Sequence, residues 1–213
     1  MLKICNREDI ENIIQSSVDG NNTKFLKSAH NLWIRFKNYD KQPPYVLYHN
    51  DLPVSAVFAT FSKRTSYVNL YEIVTFQGME GKGYASHLWN IVMTHAYNEN
   101  MRRLKISCTP FSIGWHVKNG LVFWAVDSSG SLKSDQPLFP NREKQLKFRA
   151  NAVEDPKIAL PTDSKVIEQL QKESLEFHKF GIIKTERVKE SIKIVQPYWF
   201  RDHLFNVPNL MDF

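Results

Sequence analysis

The stretch Gly78–Ser86, GMEGKGYAS, holds three of the chain's eight glycines. It separates YVNLYEIVTF, a β-rich run, from HLWNIVMTHAY, whose apolar residues recur at helical spacing. A strand, a glycine-rich turn and a helix in immediate succession constrain the fold more than any other feature of the sequence. Such units belong to α/β architectures, where the turn presents the first amides of the helix. Those unpaired donors and the positive end of the helix dipole favour an anion, and glycine lets it approach the backbone closely.

The flanking sequence supplies further strands and helices. Leu2–Cys5 reads as a short strand, followed by a helix with Ile10, Ile13 and Ile14 and a second through Phe25, Leu26, Leu32, Trp33 and Phe36. Pro43 and Pro44 end it. YVLYHNDLPVSAVFATFSK carries two β-rich runs around His49-Asn50-Asp51, a hairpin signal. The helix after the glycine turn is expected to bury Leu88, Ile91, Val92 and Ala96. A strand LKISCTP, a short helix to Lys118, a stop at Asn119-Gly120 and LVFWAV come next. Residues 137–161 read as a long connection, and Pro161-Thr162-Asp163-Ser164 opens a last helix carrying Val166, Ile167, Leu170 and Phe177. The order implies a mixed α/β fold with a central mixed sheet, a parallel crossover at the central helix, and helices on its flanks.

Two phosphate motifs fail on the turn. A Walker loop needs Ser or Thr after Gly81-Lys82, where Gly83 stands, and a glycine where the chain has Phe76. A dinucleotide fingerprint on Gly81 and Gly83 reaches Ser86 instead of a third glycine, and the next strand ends in SCTP without an acid for a ribose. EGKGYASHLW instead resembles the acyl-CoA loop of the GNAT superfamily of N-acyltransferases, in which Gln or Arg, two residues, Gly, one residue and Gly or Ala precede a long helix. Gly83 and Ala85 take the small-residue positions, and Glu80 stands where the family has Gln or Arg. A carboxylate beside a pyrophosphate is repulsive, and Lys82 offsets it. The hairpin PYVLYHNDLPVSAVFATF and the segment WHVKNGLVF resemble the family's preceding strands and its closing Tyr-x-x-x-Gly-Phe motif. The likeness covers residues 1–128. It implies a GNAT-like core over residues 1–130 with a C-terminal extension over 131–213, and acetyl-CoA bound along Thr75, Phe76, Gly81, Lys82, Gly83, Tyr84, Ala85 and Ser86.

Acyl transfer to an amine needs a base for the nucleophile, an oxyanion site and a proton for the thiolate. Strand alternation puts Val68, Leu70, Glu72 and Val74 on one face, making Glu72 a lone carboxylate on an apolar surface, where burial raises a carboxyl toward a working base; a structural ion pair is the plain alternative. His116 falls on the family's Tyr position and is the candidate acid, or else an ordinary half-buried helix histidine. Tyr84 is a second phenol beside the loop. Cys108 reads as a core residue rather than a covalent nucleophile. The histidines show no paired ligand spacing, so no metal is expected.

Composition bounds the partners. A hydrophobic fraction of 42% argues for a packed core. Cys5 and Cys108 are too few for a disulfide framework, and no apolar run approaches a membrane span or a leader, which together suggest a cytoplasmic protein without membrane attachment. The net charge of +6 and the aromatic-basic cluster Tyr198, Trp199, Phe200, Arg201 and His203 are compatible with DNA or RNA, and equally with aromatic packing on the sheet. Two function classes stay open: an acyl-CoA-dependent N-acyltransferase, and a GNAT-fold protein turned to nucleic acid, as a DNA-base modifier of the phage Mom type or as a binding module.

Overall fold

In a computed structural model of the protein, the described residues are 1–19, 34, 44–109, 112–123, 125–126, 131–155 and 158. They fall into two compact units that divide between Met101 and Arg102, whereas the sequence places a boundary near residue 130. Apart from Ile34, the expected helix over 25–36 lies outside the described residues, as do the helix expected to open at Pro161 and the cluster at 198–203. The class is mixed α/β, as the order of elements implies.

The first unit is built on two hairpins. β2 (Tyr45–His49) turns into β3 (Leu52–Ser62) through Asn50 and Asp51, at φ 48° and 59°. Both are short polar residues that tolerate the left-handed conformation a two-residue hairpin turn demands. β4 (Tyr67–Thr75) pairs with β3, and β1 (Leu2–Ile4) with β2, all antiparallel. β3 is buried without interruption from Pro53 to Ala59, which explains why its sequence reads as a continuous apolar run instead of alternating.

One helix serves each face of these strands. α1 (Arg7–Asp19) is started by a reciprocal cap in which Asn6 Oδ1 accepts from the Asp9 amide and Asp9 Oδ2 accepts from the Asn6 amide. Its Ile10 and Ile13 join Cys5, Val46, Ala56, Phe58 and Phe76 in a buried cluster. α2 (Tyr84–Asn98) buries Leu88, Trp89, Val92, Met93 and Ala96. Ile91, expected inside, is only half-buried, so the apolar stripe is rotated toward Trp89 and Met93. The His95 ring lies 6.1 Å from Tyr45 and 5.7 Å from Phe61.

The second unit contains β5 (Arg103–Cys108), α3 (Ile113–Lys118), β6 (Ala125–Val126), β7 (Leu132–Pro137) and α4 (Arg142–Glu154). β7 pairs antiparallel with β5 and with β6. The expected stop after α3 is a helix-ending motif on Gly120 at φ 86°: the Gly120 amide donates to Val117 C=O and the Leu121 amide to His116 C=O. The long connection expected over residues 137–161 is corrected by α4, whose Asn141 side chain accepts from the Lys144 amide at 2.9 Å. Its inward residues are Gln145, Phe148 and Ala152. One of the three is polar, and a periodicity search for apolar residues passes over such a face.

Candidate functional site

β4 delivers the chain into the glycine loop. Its register on β3 pairs Ala59 with Leu70 but Phe58 with Glu72, so Tyr71 is one residue too many. Such a bulge breaks strand alternation. Ala59 and Phe58 are neighbours and therefore point to opposite faces, and so must Leu70 and Glu72. The expected single face of Val68, Leu70, Glu72 and Val74 is thereby corrected. Val68 and Leu70 lie on the α2 side, opposite Phe61 and Ala59, whereas Glu72 and Val74 lie on the α1 side, opposite Phe58 and Ala56. Glu72 is half-buried, at the edge of the apolar cluster rather than alone within an apolar strip.

Beyond Thr75 the backbone is tied down before it opens. The Phe76 amide donates to Val54 C=O at 3.0 Å and the Met79 amide to Phe76 C=O at 2.9 Å. The Phe76 side chain is fully buried, so this residue offers a ligand only its backbone. Gly78, Gly81 and Gly83 all have φ between 76° and 89°. Gly83 is the residue before the first turn of α2, with no side-chain cap, and its carbonyl accepts from the His87 amide at 3.0 Å. A Cβ built on Gly81 or Gly83 meets nothing within 4 Å. Glycine is therefore required by the left-handed backbone and not by crowding, and the space before Tyr84, Ala85 and Ser86 is open for an anion.

The charges around the loop are arranged asymmetrically. The Glu80 carboxylate accepts from the Gly78 amide at 2.6 Å, which anchors it at the beginning of the loop, away from the start of the helix in sequence. Lys82 is exposed, with its ammonium 3.9 Å from Met79 Sδ. The Tyr84 ring packs against His49 of the β2–β3 turn, 5.4 Å between centroids, so this phenol braces the helix start. These residues suit a phosphate-bearing group: left-handed glycines, a helix N-terminus without a side-chain cap and a nearby cation.

Glu72, Thr75, Phe76 and Gly81–Ser86 all belong to the first unit, and His116 to the second. His116 is 3% exposed, its ring edge-on to Trp115 and Phe123, and its Nδ1 has no hydrogen-bond partner. Burial pushes its pKa down to about 4, so it is a neutral imidazole at neutral pH. Burial pushes the Cys108 thiol up to about 12, which leaves no thiolate for covalent catalysis. Among the described residues no three His, Cys, Asp or Glu side chains gather as a metal site. No helix among them is long and apolar enough to cross a membrane.

Sequence reasoning missed Tyr71, because a bulge is a property of pairing between strands. The paired β-rich runs of β3 and β4 held no local signal for it.

No protein-family model matches the sequence, and no curated protein does. Solved N-acetyltransferases are similar to it in structure. Ard1 from Thermoplasma volcanium matches at 12% identity and TM-score 0.48, covering 65% of this chain and 97% of that one. PaiA N-acetyltransferase from Thermoplasma acidophilum, a complex with coenzyme A, matches at 9% identity and TM-score 0.47, covering 64% and 98%. An N-acetyltransferase from Staphylococcus aureus Mu50 matches at 16% identity and TM-score 0.45, covering 65% and 98%.

Proposed function

We propose that the protein is an acyl-CoA-dependent N-acyltransferase. The observation that carries this reading is the junction of β4 and α2: a strand ends on a buried anchor, Phe76, and a left-handed Gly83 opens the helix with no side-chain cap and open space before it. The sequence resemblance of EGKGYASHLW to the GNAT cofactor loop supports it. The CoA pyrophosphate would rest on the amides of Gly81–Ser86 with Lys82 beside it, and the pantetheine arm would run back along β4 from Thr75. Glu72 is the base proposed for the acceptor amine.

The test is ligand-dependent melting. A ligand that binds only the folded state raises the melting temperature with concentration, so acetyl-CoA and CoA are expected to stabilise the protein progressively. No shift at millimolar acetyl-CoA overturns the proposal. Gly83→Ala should weaken CoA, because the left-handed backbone at φ 81° costs an L-residue about 1–2 kcal/mol and distorts the amides that receive the phosphate. Equal CoA affinity in a folded Gly83→Ala would remove the pyrophosphate from this loop.

For the acceptor we infer a large or anionic amine-bearing molecule, with nucleic acid the leading class. The net charge of +6 supports this reading.

A further inference from the structure

The net charge is unevenly spread along the chain. Residues 102–155 hold nine Lys or Arg against five Asp or Glu and so carry +4 of the total of +6. The counts are ten against nine before that stretch and nine against eight after it. One pair within it is neutralised internally, since the Arg103 guanidinium lies 2.7 Å from the buried Asp135 carboxylate. Lys118, Arg142, Lys144 and Lys147 form no ion pair among the described residues.

These four cations belong to the end of α3 and the first two turns of α4. The Arg142 guanidinium donates to Lys118 C=O at 2.8 Å, which holds Arg142 beside Lys118 without cancelling its charge, because a carbonyl is neutral. Lys144, Lys147 and Asn151 are exposed and spaced i, i+3, i+7, so they stand in a row along α4 over about 10 Å. The helix is packed through a separate face, that of Gln145, Phe148 and Ala152. Its two carboxylates, Glu143 and Glu154, pair with neither lysine of the row.

An acidic protein, an anionic membrane and a nucleic acid all attract such a row, but each needs something more from the surface. Protein interfaces have an apolar or aromatic centre, and a helix lying on a membrane sinks an apolar face into it. Among its described side chains, α4 exposes no apolar residue larger than Ala150. It also exposes no ring on which an unpaired base could stack. Lys and Asn are side chains that contact phosphate oxygens, and a duplex presents its phosphates in regular rows.

We propose that the end of α3 and the row Lys144, Lys147 and Asn151 form a docking surface for duplex nucleic acid, held by its phosphates without reading the bases. This surface deepens the reading of the acceptor as nucleic acid and rests on it, and it does not require acyl-CoA.

The test uses the full chain, a labelled duplex and fluorescence anisotropy across a salt series. Each neutralised phosphate contributes about 0.9 to the log–log slope, so Lys144→Gln/Lys147→Gln should flatten the slope by about two and weaken binding roughly tenfold or more at low salt. Glutamine is a good helix former, so this variant should melt with the wild type. Lys118→Gln, outside α4, should flatten the slope by about one and reads the same surface if the α4 variant melts early. Lys63→Gln/Arg64→Gln removes equal charge from two exposed residues of the first unit and should leave the slope nearly unchanged. Equal slopes in the wild type and a folded Lys144→Gln/Lys147→Gln overturn the inference while the nucleic-acid reading stands. Equal flattening by the two double variants also overturns it, since net charge alone would then govern association. No duplex binding by the wild type at low salt, with or without binding to vesicles of anionic lipid, overturns both readings.

Discussion

His116 shows how burial sets a residue's chemistry. An ordinary histidine titrates near 6.5, and burial holds this one at about 4. Its folded pKa lies below its unfolded value, so the unfolded chain binds the proton first on acidification. The stability it contributes is complete above about pH 6.5 and is lost as pH falls toward 4, by about 3 kcal/mol for a shift from 6.5 to about 4. Denaturant titrations at pH 7 and pH 5 should show the part of this loss that falls between them, about 2 kcal/mol in the wild type, and a smaller change in His116→Phe. The same variant tests the catalytic role that the sequence suggests: a proton donor would cost about 10²-fold in turnover, while a buried neutral imidazole would leave turnover near wild type at pH 7. Two glycines make a second residue-level comparison. Gly81→Ala strains only a left-handed backbone and should cost about 1 kcal/mol. Gly120→Ala drives a Cβ to 2.7–2.9 Å from Gln145, including its backbone carbonyl, at φ 86°, and should cost roughly 2–5 kcal/mol. Equal melting of the two would mean the α3–α4 approach yields easily.

At the scale of elements, β4 and α4 carry the corrections. Alternation along YVNLYEIVT assigns Glu72 to the face of Leu70, and the bulge assigns it to the face of Phe58. With Glu72 the proposed base, Glu72→Gln should lower kcat/KM most on the plateau above the acid limb, where the wild-type carboxylate is available as a base, and should flatten that limb. A parallel rate profile with no loss would pass the proton to water. α4 is held by its Asn141 cap and by Gln145, whose amide donates to Gly120 C=O at 3.2 Å together with Gln136, also at 3.2 Å. Asn141→Ala should cost about 1 kcal/mol in unfolding free energy. β7 escapes an apolar-pattern search for the same reason as α4, since its buried residues include Ser134, Asp135 and Gln136. These groups are tolerated inside because partners satisfy them: Arg103 Nε donates to Asp135 Oδ1 at 2.9 Å, and Gln136 Oε1 accepts from the Val122 amide at 2.8 Å.

At the scale of the whole molecule, the charge of +6 bears on association. If the acceptor is nucleic acid, affinity for a labelled duplex should fall with salt with a log–log slope of about 0.9 per neutralised phosphate. Substituting Arg201 and Lys193, both outside the described residues, should flatten the slope by about one for each phosphate left without its cation. Fluorescence anisotropy between 50 and 300 mM salt, on the order of the range where such charges are screened, reads this directly. No binding at the low end would turn the search to protein or small-amine acceptors.

Local chemistry made part of this protein legible from sequence alone. The left-handed Asn50-Asp51 turn, the Asn119-Gly120 stop and the glycine loop opening α2 each depend on a few neighbouring residues with strong backbone preferences, and all three are where the residues put them. The class of α/β elements follows from period-two and helical spacing along the chain. The remainder depended on pairing and burial between distant segments. Which face of β4 holds Glu72 depends on how β3 meets it, through one extra residue that costs little locally. The charge state of His116 depends on the Trp115 and Phe123 rings and the exclusion of water around them, and α4 depends on polar residues finding partners elsewhere in its unit. Periodicity and propensity are written into a segment, whereas register and desolvation exist only once segments meet.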